Sequence, residues 1–159
     1  MFRKLWGKYK WRKLRKQVWQ KRLLDQLELV SNQFPQAVRC SLDLSWGPFY
    51  GGAVLLNRKS TKARIQVQLP YDRYLTLDER QVMAKYNINR NALPYFIFFH
   101  EYYHLIDALS HCRQDQDLKS YQAALARAAR TNTPYRKLQI EARADEFAYR
   151  QYVRFLEAG

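Results

Sequence analysis

The chain has 159 residues, 47% of them hydrophobic and 26% charged, with only five glycines and five prolines and a net charge of +14. These figures suit one globular domain with a real hydrophobic core and exclude a low-complexity or repeat protein; no apolar run approaches the roughly 20 residues of a membrane-spanning helix. Two cysteines, Cys40 and Cys112, are too few for a disulfide framework or a cysteine-type zinc site, and charges break up the N-terminus before an apolar signal core can form, so a cytoplasmic protein with reduced thiols is expected.

The charge is concentrated at the start. Residues 1–22 hold ten of the 28 Lys/Arg and none of the 14 acids. Residues 1–30 therefore read as a basic N-terminal arm, and residues 31–159 as the body of a single domain. Within the arm, Trp11, Leu14 and Val18, then Trp19, Leu23, Leu27 and Val30, recur at helical spacing, which predicts a helix over about residues 9–30 with Gly7 marking its start. A solvated cationic helix is the plainest reading. Residues 1–22 are otherwise suited to nucleic acid, by phosphate neutralisation, or to an anionic membrane surface with Trp6, Trp11 and Trp19 at the interface. An organelle targeting peptide is disfavoured, because the first 30 residues contain no serine.

The segment AVRCSLDL alternates, with Val38, Cys40, Leu42 and Leu44 on one face and Arg39, Ser41 and Asp43 on the other, as in a half-buried strand. After the SWGPFYGG punctuation, a second short strand is expected at about Ala53–Asn57, then a turn at NRKST and a third strand with Ile65, Val67 and Leu69 facing one way. Such short connections favour an antiparallel meander. Beyond Pro70 the pattern turns helical. Thr76 and Glu79 form a capping box that opens a helix at about 77–86. Asn91 is a plausible cap and Pro94 sits in the first turn of a further helix running to about Leu109. LKSYQAALARAAR is a strong helix former, TNTP a stop, and YRKLQIEARADEFAYRQYVRFLE a long final helix. The fold class is α+β: a small antiparallel or mixed sheet of about three strands, with a C-terminal helical part.

The helix over 94–109 carries His100-Glu101-Tyr102-Tyr103-His104, an HExxH motif, directly behind the apolar run FIFF. Burying unpartnered polar groups in such a setting costs several kcal/mol, roughly 2–7 per group. Residues i and i+4 share one helix face, so both imidazoles can reach one ion. Two imidazoles and a carboxylate suit zinc and leave a position for water, which the ion activates near neutral pH, with Glu101 as general base. Three residues compete for the third ligand position. His111 lies seven residues past His104, about 10 Å along a straight helix, which is too far. Asp107 is closer, on the same face, and can ligate or accept a hydrogen bond. Glu141 lies on the last helix with Asp145 one turn on, and Ala142, Ala144 and Ala148 permit close helix approach. One carboxylate to bind and one to orient a ligand histidine meets the requirement of such sites.

HExxH followed by ExxxD on a later helix resembles the gluzincin branch of the zincin metallopeptidases, and EARADEFA together with the element order is most similar to the ImmA/IrrE-type peptidases, over about residues 37–150. Tyr103 stands where that family commonly has glycine. The resemblance implies a zincin-like fold packed on the active-site helix, Zn²⁺ held by His100, His104 and Glu141, Glu101 as the base, and Asp145 behind the ligands, with Asp107 a further candidate there. It implies endopeptidase activity on a protein or peptide, with a repressor or regulator as the kind of target. It also gives the strand at about Ala53–Asn57, or its partner, the task of holding substrate by backbone pairing, its two preceding glycines allowing close approach. An oxyanion stabiliser is needed too; Tyr152, Tyr149 and His111 are the candidates. The alternative is a nucleic-acid- or anionic-membrane-associated binding protein on a catalytically silent scaffold of this kind.

Overall fold

The computed structural model describes residues 2–31, 38–71, 74–113, 118–130 and 138–157. In chain order these form helix α1 (Phe2–Ser31), strands β1 (Arg39–Gly47), β2 (Gly51–Leu56) and β3 (Lys62–Pro70), helix α2 (Leu77–Tyr86), a 3₁₀ turn (Arg90–Ala92), and helices α3 (Leu93–Arg113), α4 (Leu118–Ala129) and α5 (Gln139–Glu157). The TNTP stop and the expected start of the last helix at 135–137 lie outside the described residues. The architecture is α+β, with a three-stranded mixed sheet.

The sheet is not the meander that the short connections favour. Its order is β1-β3-β2, with β1 parallel to β3 and β2 antiparallel to it. The physical reason lies in β3. Ala63, Ile65, Val67 and Leu69 are all buried, whereas β1 and β2 are only partly covered. The strand with the most complete apolar face takes the centre. The register sets Leu42 and Leu44 beside Ile65 and Val67 on one side, and Val54 and Leu56 beside Ile65 and Ala63 on the other. Side chains alternate along a strand, so the apolar face is continuous across the sheet and Arg39, Ser41, Asp43, Arg64, Gln66 and Gln68 share the opposite one.

α3 covers the apolar face, packing against β2 and β3 on one side and along α5 on the other. Phe98, Leu105 and Leu109 are fully buried, and Ala144 and Ala148 of α5 have no exposed surface, which brings the two helix axes close. Tyr102, inside the HExxH motif, points away from the histidines. Its hydroxyl donates to the Val30 carbonyl over 2.8 Å and so satisfies one of the orphan acceptors at the end of α1.

α1 begins at Phe2, so Gly7 is carried inside the helix rather than starting it. A single glycine costs about 1 kcal/mol, which the surrounding Lys, Arg, Leu and Trp residues absorb. Trp19, Leu23, Leu27 and Val30 enter the core, and Gln20 donates to the Leu42 carbonyl. α2 opens with the expected capping box: the Thr76 hydroxyl accepts from the Glu79 amide, and the Glu79 carboxylate accepts from the Thr76 amide. Glu79 does more than cap. Its other oxygen accepts from the Tyr50 amide at 2.7 Å, which pins the connection between β1 and β2 to the start of α2.

Candidate metal centre

His100 and His104 lie one turn apart on α3 and face Glu141 and Asp145, one turn apart on α5. The His100 Nδ1–H donates to Asp145 Oδ1 at 2.9 Å. With Nδ1 so engaged, Nε2 is the ring nitrogen that faces the middle of the cluster. There His100 Nε2 lies 3.1 Å from Glu141 Oε2 and 3.1 Å from His104 Nε2, and His104 Nε2 lies 3.6 Å from Glu141 Oε1. Donor atoms of the three residues all lie within 4.8 Å of one another.

Is this a cluster satisfied by its own hydrogen bonds? With Asp145 holding the Nδ1 proton, a neutral His100 presents an electron pair to a carboxylate that also has only electron pairs to offer. Two acceptors at 3.1 Å repel unless positive charge stands between them. The same demand shows in the proton affinity of His100. Burial works against a charged imidazole, but the bonds to Asp145 and Glu141 and the nearby Glu101 outweigh it and push the pKa up to about 9. A proton on Nε2 meets that demand for His100 alone; a divalent cation would meet it for all three residues at once. Donors held about 2.0–2.1 Å from a tetrahedral ion stand about 3.4 Å apart, and the observed separations bracket that figure. The donor set, two imidazoles and one carboxylate, is one that would suit zinc.

Glu101 is not part of this triangle. It lies between two cavities, one of about 220 Å³ lined by Tyr50, Gly52, Glu79, Phe96, His100 and Glu101 among others, and one of about 310 Å³ that includes Gly52, Val54, Glu101, His104, Tyr121 and Glu141. Together they make a cleft along β2. Among the described residues β2 pairs with β3 on one side only, which leaves its other edge unpaired. Of the two glycines before Ala53, one is required by the packing: a Cβ on Gly52 would meet the Glu101 Cγ and Oε1 at 2.5 Å, while one on Gly51 would meet nothing within 4 Å.

The other expected site residues are dispersed. Asp107 accepts from the Tyr121 hydroxyl at 2.8 Å and so links α3 to α4. His111 donates from Nδ1 to the Asp107 carbonyl at 2.8 Å, and its ring faces Tyr121. Tyr149 packs on Tyr86, and Tyr152 is buried in the core cluster; neither lines the two cavities. Tyr103 lies between His104 and Phe147 of α5. Sequence reasoning missed Tyr121, which lines the cleft beside His104 and Glu141. Burial and the Asp107 carboxylate both raise its pKa, so it stays a neutral donor. It missed the second role of Glu79 as well. The capping-box spacing pointed to that residue, but nothing in the pattern pointed to Tyr50.

No family model, no curated protein and no solved structure matches this chain, so its functional reading rests on the geometry of these side chains.

Proposed function

We propose that the protein is a zinc-dependent endopeptidase of gluzincin type on a zincin-like scaffold, which cuts an extended segment of a protein substrate. One observation carries this reading: His100, His104 and Glu141 converge beside a cleft that holds Glu101 and runs along a strand edge left unpaired among the described residues. Zinc, when bound, supplies the Lewis acidity that activates water and polarises a carbonyl.

The chain's own groups supply the rest. Substrate adds to the open edge of β2 by backbone hydrogen bonding, which draws its carbonyls past Glu101 in a fixed register. Glu101, set at its position by the closeness of Gly52, takes the proton from the attacking water and returns it to the departing amine. Asp145 keeps the His100 proton on Nδ1, so that Nε2 remains a ligand. Two phenols line the cleft, Tyr50 and Tyr121. Tyr121, on the side of His104 and Glu141, is the better placed to steady charge developing on the carbonyl oxygen, by turning its hydroxyl from Asp107.

The test is zinc content and peptide-library cleavage of the purified protein, beside its Glu101→Gln variant. The variant retains zinc at the wild-type ratio and loses activity by about 10²–10⁴-fold. Undiminished cleavage by Glu101→Gln, or a wild type that fails to take up zinc when it is supplied, defeats the proposal. A wild type that holds zinc and cleaves nothing leaves the scaffold as a binding protein.

A further inference from the structure

α1 carries two apolar stripes that look in different directions. At 3.6 residues per turn, Trp19, Leu23, Leu27 and Val30 fall on one side and Trp11, Leu14 and Val18 on another, roughly 140° round the axis. The first stripe is in the core. The second is outside: Trp11, Leu14 and Val18 are 52%, 60% and 41% exposed. Over this part of the helix the domain takes up arginines instead. The Arg12 guanidinium lies over the ring of Tyr71, and Arg15 lies between Trp46 and the inner edge of Trp11 and reaches the Tyr50 hydroxyl. Lys10 and Lys21 are exposed beside the outer stripe and Lys13 on its flank, and the sheet exposes Phe49 and Tyr71 near its end.

We infer that this outer face of α1 lies flat on an anionic lipid bilayer, with Trp11, Leu14 and Val18 in the boundary between headgroups and acyl chains and the lysines among the phosphates. Charge complementarity calls for an anionic partner, since residues 1–22 hold ten basic residues and no acid. The apolar stripe then selects among anions. Phosphate contacts of a duplex reward charge neutralisation, and the aliphatic Leu14 and Val18 beside Trp11 would gain nothing from them. A bilayer surface rewards both. Lysine suits such a surface because its long stem lets the ammonium rise past buried apolar neighbours. Arg12 and Arg15, which carry the planar fork favoured for phosphate recognition, are laid on aromatic rings. The contact is interfacial, because no described helix is long and apolar enough to cross a membrane. It stands independently of the metal centre.

The experiment is co-sedimentation of the full chain with vesicles of phosphatidylcholine alone, or containing phosphatidylglycerol, beside a duplex DNA binding assay and sedimentation equilibrium. The wild type binds the phosphatidylglycerol vesicles and only weakly those of phosphatidylcholine. Leu14→Gln/Val18→Gln, which changes no charge, lowers the anionic-vesicle partition by at least about tenfold while leaving the circular dichroism and thermal midpoint unchanged. Lys13→Gln/Lys21→Gln lowers it as well, and more so at low salt. The inference is overturned if vesicles are not bound, if the Leu14/Val18 variant binds them as the wild type does, if DNA is bound tightly and indifferently to that variant, or if the chain is a dimer that this variant dissociates.

Discussion

α3 and the first half of α1 both mix large apolar side chains with charged or polar ones, yet they resolve the mixture in opposite ways. In α3 the apolar residues surround the polar ones, so His100 can exist there only because Asp145, Glu141 and His104 meet it within about one hydrogen-bond length. In α1, Lys10 and Lys13 reach water, and Trp11, Leu14 and Val18 are left outside with them. Burial makes polar groups converge, and convergence is what creates a site. Exposure imposes no such demand, so the outer face of α1 is specified by what it can meet and not by what it already touches.

The sharpest way to break this contrast is to take one partner out of the buried set. His100→Ala removes a proposed ligand and leaves Glu141 and Asp145 buried together. Zinc should fall to background in metal analysis, and peptide cleavage with it. A weaker cut is Asp145→Asn, which keeps the ligands but offers His100 an amide that can donate as well as accept; zinc affinity should drop by about 10–100-fold in a chelator competition. The smallest effects fall on α1, where its two halves can be compared directly. Leu23→Ala should cost about 2–5 kcal/mol in denaturant unfolding, because Leu23 is fully buried. Leu14→Ala should stay within about 0.5 kcal/mol of wild type. Equal costs at both positions would mean that the outer stripe is packed after all, and the contrast between the regions would disappear.

What could be read in advance follows the same division. His100 and His104 share a face by the geometry of one helix, and so do Glu141 and Asp145, so a four-residue spacing was enough to propose both halves of the centre. The capping box at Thr76 and Glu79 was equally local. Alternation gave the inward faces of β1 and β3 correctly. The strand order was not legible, because the three residues 48–50 between β1 and β2 are as short as a hairpin loop. Only the more complete burial of β3 decides that it takes the centre. Tyr121 was hidden for a different reason: its place beside His104 depends on how α4 leaves α3, and the segment 114–117 shows no pattern that sets that angle.

The strand order has a consequence for how the chain can assemble. Among the described residues β1 pairs only with β3, so its pairing waits for residues 62–70, which lie beyond the whole of β2 in the chain. Had the strands been laid down side by side in order of synthesis, β2 would have finished in the middle with both flanks taken. The central place of β3 is what leaves one flank of β2 available next to Glu101.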